Sequence, residues 1–178
     1  TTFSSHIARL NSIVEFGQKM SRKIVFMGRS MSRYVKAAED AGIAKFSSKV
    51  EILRYSNQIK RKLRKIANDR GKYLMVVTGH QGEPKSTLSK MMNGEFKFNF
   101  FPEDHVIFSC RTIPTPTNIE NRRQLEDKLR SANMRIFKDV HQSGHAARED
   151  LRDLINLTRP AHIIPAHGND SMRGALAE

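Results

Sequence analysis

Apolar and polar positions alternate in two different periods along this chain, and the period switches repeatedly. Ile7, Leu10, Ile13, Val14 and Gly17 recur at helical spacing and predict a core-facing helix over 7–20. The run KIVFM at 23–27, closed by Gly28, reads as a buried strand. A helix follows over 31–41, ended by Gly42, then a weaker strand over 50–53. Residues 55–69 form a basic helical pattern with Ile59, Leu63 and Ile66 on one side, leading into the strand YLMVV at 73–77. Beyond it the pattern predicts a helix over 84–93 with Pro84 at its first position. It then gives a strand over 105–109, a helix over 118–131, a short strand over 135–137, a helix over 146–157 and a final strand over 162–164. The alternating phenylalanines of 94–104 interrupt this rhythm and suggest a small extra strand, while 170–178 reads as the opening of another helix.

Strands that alternate with helices predict an α/β fold: a doubly wound, mostly parallel sheet with helices on both faces. The pattern itself marks no domain boundary. At 178 residues the chain has the size of one compact α/β domain. Because it opens on Thr1 rather than Met, it is expected to be a piece of a longer protein.

Charge adds a partner to this picture. Lys plus Arg number 31 against 18 Asp plus Glu, a formal net charge of +13 that favours a polyanion, nucleic acid being the commonest. The densest patch is Lys60-Arg61-Lys62-Leu63-Arg64-Lys65, which either follows an RNA backbone or is a solvated helix face. One cysteine, Cys110, excludes an intrachain disulfide framework and cysteine-based zinc sites. No apolar run reaches the roughly 18 residues of a membrane span, and no leader pattern is present, so a cytoplasmic location without membrane attachment is the default expectation.

Three strand-to-helix junctions carry chemistry suited to phosphate: Gly28-Arg29-Ser30, Thr78-Gly79-His80-Gln81-Gly82-Glu83-Pro84, and His141-Gln142-Ser143-Gly144-His145. In a parallel sheet such junctions share the carboxyl edge. Glycine admits a ligand close to the backbone, and a helix start offers free N–H groups and the positive end of its dipole. Glycine at such a turn also serves plain turn chemistry, so each loop alone is a weak signal. No Walker A or Gly-x-Gly-x-x-Gly sequence occurs, which weakens the case for a nucleotide cofactor. Arg29, Arg33, Arg111 and Arg148 sit in or beside these loops as candidate phosphate partners or as solvated residues.

Among the seven histidines, no His-x-His-x-Asp-His or His-Glu-x-x-His cluster exists, so the residues show no complete metal site. His145 opens a helix beside Ser143-Gly144, where it contacts phosphate, donates a proton or bonds backbone. His167, in Ile-Ile-Pro-Ala-His-Gly, stands at the end of the last predicted strand as an edge residue or a surface loop residue. His80 and His141 are minor candidates, and His6, His105 and His162 read as structural or surface residues.

The order of these motifs resembles a known family. His141-Gln142-Ser143-Gly144-His145, then Glu149-Asp150-Leu151, then Ile163-Ile164-Pro165-Ala166-His167-Gly168 resemble the end of the β-CASP region of ribonuclease J. The stretch 78–84 resembles that family's Thr-Gly-x-Gln-Gly-Glu-Pro loop, and 1–7 and 25–30 fit its opening segments. The resemblance implies a zinc-dependent ribonuclease with β-CASP inserted into a metallo-β-lactamase domain and RNA running between the two. It implies a β-CASP domain over 1–158 and, over 159–178, a return segment toward the metallo-β-lactamase domain. It makes His167 a zinc ligand and His145 a catalytic group near the scissile phosphate. Ser143, Gly144, His145 and Ala146 would hold an RNA phosphate, including a 5′-monophosphate end, with Thr78, Gly79, Gln81, Gly82, Arg29 and Ser30 as further RNA-binding residues.

The family's main zinc cluster, which with its partners holds two zinc ions, is absent from these residues, so the chain alone is expected to be inactive. Homodimerisation stays open. Two other readings compete: a non-catalytic RNA-binding module, and an α/β domain that binds a small phosphorylated ligand.

Overall fold

The computed structural model describes residues 1–138, 140, 146, 148–165 and 169–177. Two compact units divide the chain, residues 1–141 and 142–178.

The first unit runs α1 (Ile7–Lys19), β1 (Lys23–Met27), α2 (Arg29–Asp40), β2 (Val50–Leu53), α3 (Ser56–Ile66), a 3₁₀ turn (Arg70–Lys72) and β3 (Tyr73–Val77). It continues with α4 (Thr87–Met92), β4 (His105–Ile107), α5 (Pro116–Ser131) and β5 (Arg135–Phe137). β1 is the central strand of a three-stranded parallel sheet in the order β2-β1-β3, with Ile24 opposite Val50 and Leu74, and Met27 opposite Leu53 and Val77.

Strand periodicity explains why β1 is apolar from Ile24 to Met27. Ile24 and Phe26 face a core formed with Leu10, Val14, Met31 and Val35 of α1 and α2, while Val25 and Met27 face Ile59, Leu63, Leu88 and Leu125 on the opposite face. Both faces are therefore covered, which is the doubly wound arrangement the alternation predicts. At about 25 cal/mol per Å² of apolar surface removed from water, each fully buried Val, Phe or Met of this strand contributes about 1.5–3 kcal/mol.

The structure corrects several expected elements. β4 and β5 pair with each other in a separate two-stranded parallel sheet rather than extending the first. β4 stops at Ile107, short of 109: Phe108 N still donates to Phe137 O at 2.9 Å, but Ser109 N donates to Thr1 O at 3.0 Å and Arg9 donates to Ser109 O. Residues 94–104 form no strand. Phe96 and Phe98 are buried, but Gly94 and Lys97 have positive φ (75° and 50°), which breaks an extended run. Arg70 ties the segment down, lying 4.6 Å from the Phe98 ring centroid and 4.1 Å from that of Phe101, pairing with Asp104 and donating to Asn99 O at 2.5 Å.

The helix expected from Pro84 starts at Thr87, with Ser86 as the cap accepting from Ser89 N at 3.3 Å. Pro116, by contrast, does open α5, behind a Thr115 cap.

In the second unit, α6 (Arg148–Thr158) carries Glu149 and Asp150 in its first turn, where carboxylates favour the helix dipole. Residues 162–164 have no strand partner and form no strand, and α7 spans Asp170–Ala177. Among the described residues, no helix is long and apolar enough to cross a membrane.

Candidate nucleic-acid interface

Because β1, β2 and β3 are parallel, their carboxyl ends lie on one edge, and a helix follows each. The three junctions enclose a cavity of about 780 Å³. Its cationic lining is Arg29 and Arg33 from α2, Arg54 after β2, Lys85 before α4 and Lys90 within it. Hydroxyl groups come from Ser30, Ser56, Thr78 and Thr87, and among the described residues no carboxylate lines it.

Among the described residues the ion pairs engage other cations, so none of these five has a carboxylate partner. Unpaired like charges around one concavity repel, and a polyanion entering it relieves that repulsion while releasing counterions. The backbone adds to the field. α2 is preceded by Gly28, which has no side chain to cap the first-turn N–H groups, whereas at the start of α3 Asn57 Oδ1 accepts from Gln58 N at 2.8 Å and Gln58 Oε1 from Tyr55 N at 3.1 Å.

A second, smaller cavity of about 380 Å³ shares Ser30, Thr78 and Lys85 with the first and adds Ser4, Ser5, Tyr34, His80 and a carboxylate, Glu83. His80 is buried, its ring centroid 3.8 Å from that of Phe3, and neither ring nitrogen has a hydrogen-bond partner. Burial lowers its pKa from 6.5 to about 4, so it is neutral at neutral pH and adds no charge to the edge.

The expected RNA-binding residues divide into two groups. Arg29, Ser30 and Thr78 line the cavity. Gly79, Gln81 and Gly82 do not; they are buried within the loop. Gln81 donates its amide to Arg111 O (2.9 Å) and accepts from Ile113 N (2.7 Å), so both ends of the side chain are engaged inside the protein. Gly82 has φ +74°, and a Cβ there would lie 2.3 Å from Asn121 O, so the loop backbone rests directly on α5. The stretch 78–84 is thus a rigid frame whose exposed contribution to the cavity is Thr78 and, just beyond, Lys85.

Arg122 reinforces the frame from α5. It donates to His80 O at 2.6 Å, pairs with Glu126 at 2.8 Å and lies 3.3 Å from the Phe108 ring centroid. Arg111 and Arg148 lie outside both cavities. The run 60–65 divides: Leu63 is buried and Lys62 pairs with Glu51, while Lys60, Arg61, Arg64 and Lys65 face solvent.

Ser143, Gly144, His145 and His167, with His141, lie outside the described residues, and Ala146 is exposed. Among the described residues no group of three or more His, Cys, Asp or Glu side chains could hold a metal ion, so these residues do not by themselves fit a zinc site. Cys110 is buried, 3.4 Å from Thr2 Oγ1. His6 caps α1 by accepting from Arg9 N at 3.2 Å.

Sequence reasoning overlooked Arg54, Tyr55, Lys85 and Lys90. Arg54-Tyr55-Ser56 is a strand-to-helix junction like the others but contains no glycine, and glycine was the feature that drew attention to the rest.

The family model "Ribonuclease J, beta-CASP domain" matches residues 1–127, and that of the "Zn-dependent metallo-hydrolase RNA specificity domain" matches 131–178. Ribonuclease J of Pyrococcus abyssi is 43% identical over 178 residues, covering all of this chain and 39% of the relative. That of Methanocaldococcus jannaschii is 44% identical over 170 residues, 95% of this chain and 38% of the relative. The Sinorhizobium meliloti protein of the same name is 30% identical over 189 residues, with 30% of it covered. The chain therefore spans about two fifths of the length of the two archaeal relatives, 39% and 38%. With the β-CASP family model covering most of the first unit, the chain belongs to the ribonuclease J family, of which it carries the β-CASP region.

Proposed function

We propose that this chain is the RNA-gripping part of a zinc-dependent ribonuclease of the ribonuclease J type, acting as a 5′-3′ exonuclease, an endonuclease or both. One observation carries the reading: the larger cavity at the carboxyl edge of the parallel sheet gathers five cations and, among the described residues, no carboxylate, beside the start of α2, which has no side-chain cap. Such an edge holds phosphates by charge and is indifferent to base sequence. The single-stranded RNA of this reading carries a 5′-monophosphate held by Ser143, Gly144, His145 and Ala146. A metallo-β-lactamase domain of the longer protein completes the cleft.

In this reading His167 is the one zinc ligand the chain offers. Zinc bound in the longer protein supplies activated water for phosphodiester hydrolysis. The contribution of this chain's own residues is to hold the strand, and His145 stands near the scissile phosphate. A single ligand does not retain zinc, so the 178-residue chain alone binds RNA without cutting it.

The test is equilibrium binding of the 178-residue chain to a short 5′-monophosphorylated single-stranded RNA across a salt series. If all five cations meet phosphate, log K falls with log salt at a slope of about −3.5, taking about −0.7 per phosphate neutralised on a single strand. Arg33→Ala and Lys85→Ala each reduce the slope by about 0.7. A flat salt response, or complete competition by a mononucleotide, overturns this reading in favour of a small phosphorylated ligand. For the zinc assignment, His167→Ala in the longer protein is expected to lower bound zinc, measured by metal analysis after dialysis, together with cleavage. Unchanged zinc content rejects it.

A further inference from the structure

We infer that Tyr55, with the Arg54 guanidinium over its ring, is a stacking platform for one unpaired base of the RNA held at the cationic cavity. The inference rests on the phosphate-binding reading above and adds to it a contact with the base.

Tyr55 lines the cavity yet is 52% exposed. It is not needed to fill the core below α3, which Ile59, Leu63 and Ile66 already occupy. What sets this half-exposed ring apart is its place beside cations that have no carboxylate partner among the described residues. The other aromatic in the cavity lining, Phe96, is buried in the core. Among the other exposed aromatics, Phe101 lies under Arg70 at 4.1 Å from its ring centroid and neither it nor Phe16 lines a cavity, while Tyr34 lines only the smaller cavity, where Glu83 also stands.

The backbone that carries Tyr55 is fixed. Gln58 Oε1 accepts from Arg54 N (3.2 Å) and Tyr55 N (3.1 Å), tying the elbow to the first turn of α3. A ring presented from such an elbow loses little freedom on binding, which is what makes aromatic side chains efficient contacts. Arg54 Cζ lies 5.3 Å from the Tyr55 ring centroid. The guanidinium thus lies over the ring, and the part of the ring still exposed offers a base a π face with a cation next to it.

The occupant is therefore an unpaired nucleobase whose neighbouring phosphates meet Arg29, Arg33 and Lys85. A paired base in a duplex is stacked already and offers no free face. The platform thus selects single strands while tolerating any base.

The experiment measures binding of the chain to a short 5′-monophosphorylated oligoadenylate, and to the same strand with an abasic ribose at each position in turn. Tyr55→Ala is expected to weaken binding about 5- to 140-fold, the range of one base–aromatic stack, with the salt slope unchanged because no phosphate contact is lost. Tyr55→Phe retains near-parental affinity, whereas Tyr55→Leu, apolar but without a π face, behaves like the alanine variant. One abasic position becomes insensitive to Tyr55→Ala, identifying the stacked base. If Tyr55→Ala binds within twofold of the parent while Lys85→Ala still reduces the salt slope, the platform is wrong and the phosphate reading stands. If neither variant changes binding, both fail. Loss of binding by Tyr55→Phe as well would also overturn stacking, since the ring remains.

Discussion

Gln81 offers the sharpest separation between a residue that touches RNA and one that shapes the loop. Gln81→Ala removes two hydrogen bonds, from Nε2 to Arg111 O (2.9 Å) and from Ile113 N to Oε1 (2.7 Å). Each is worth about 0.5–1.5 kcal/mol net. Residues 111 and 113 are exposed, so water can replace the lost partners and no full desolvation penalty arises. Removing the buried methylene packing of the side chain adds about 0.8 kcal/mol. The expected cost is thus about 2–4 kcal/mol of stability, read as a lower urea midpoint at constant m-value. Gln81→Glu keeps the acceptor for Ile113 N but faces Arg111 O with a second acceptor, and should recover little. RNA affinity measured where the variant is fully folded should match the parent within about twofold, because the amide is occupied within the protein. An unchanged urea midpoint with a large loss of RNA affinity would refute this assignment and return Gln81 to the phosphate.

Other outcomes follow from the same frame. Gly82→Ala places a methyl 2.3 Å from Asn121 O at φ +74°, against backbone that cannot step aside, and should cost more than the ~1 kcal/mol of the dihedral alone; thermal unfolding reads it. His80, with its pKa lowered from 6.5 to about 4 by burial, contributes stability fully above pH 6.5 that is lost as pH falls toward 4, about 3 kcal/mol in all. His80→Phe should flatten that limb in urea titrations across pH, and an unchanged limb would show that another group sets it. Glu126 is opposed by its own burial but held below the usual carboxylate range by the Lys138 hydrogen bond and the charges of Arg122, Lys138 and Arg130. Its contribution is therefore present above the ordinary carboxylate range and lost as pH falls below it. Glu126→Gln leaves Arg122 buried with a weakened partner and should cost about 3 kcal/mol by denaturant unfolding at pH 7.

The sheet was legible from sequence because its strands are buried on both faces. KIVFM and YLMVV have no polar interruption, so period and length agree, and β1 and β3 fall on 23–27 and 73–77. Where the expectation failed, a tertiary contact overrode the local pattern. The alternating phenylalanines of 94–104 read as a strand, but Arg70 draws the segment onto itself and positive φ at Gly94 and Lys97 breaks it. Pro84 could have opened a helix, yet Gly82 rests on α5 and Ser86 N donates to Glu83 O at 3.0 Å, so the turn continues until the Ser86 cap. The site was half legible for a related reason. Glycine marks turns wherever they occur, so it pointed to Arg29, Ser30 and Thr78 but also to Gly79 and Gly82, which serve packing. Arg54, Tyr55 and Lys90 become neighbours only once β2 and β3 flank β1, a fact about strand order that no local motif contains.

That strand order also governs how the polypeptide can acquire its shape during synthesis. The middle strand emerges first from the ribosome and has no partner until Leu53 follows, and its other flank stays open until Val77 is made. Parallel pairing needs a crossover for each neighbour, so hairpin zipping gives no local shortcut, and closure over long loops makes early folding slow. Until then the apolar side chains of 23–27 are exposed on a nascent chain, which makes that interval the one in which aggregation or chaperone capture competes with folding.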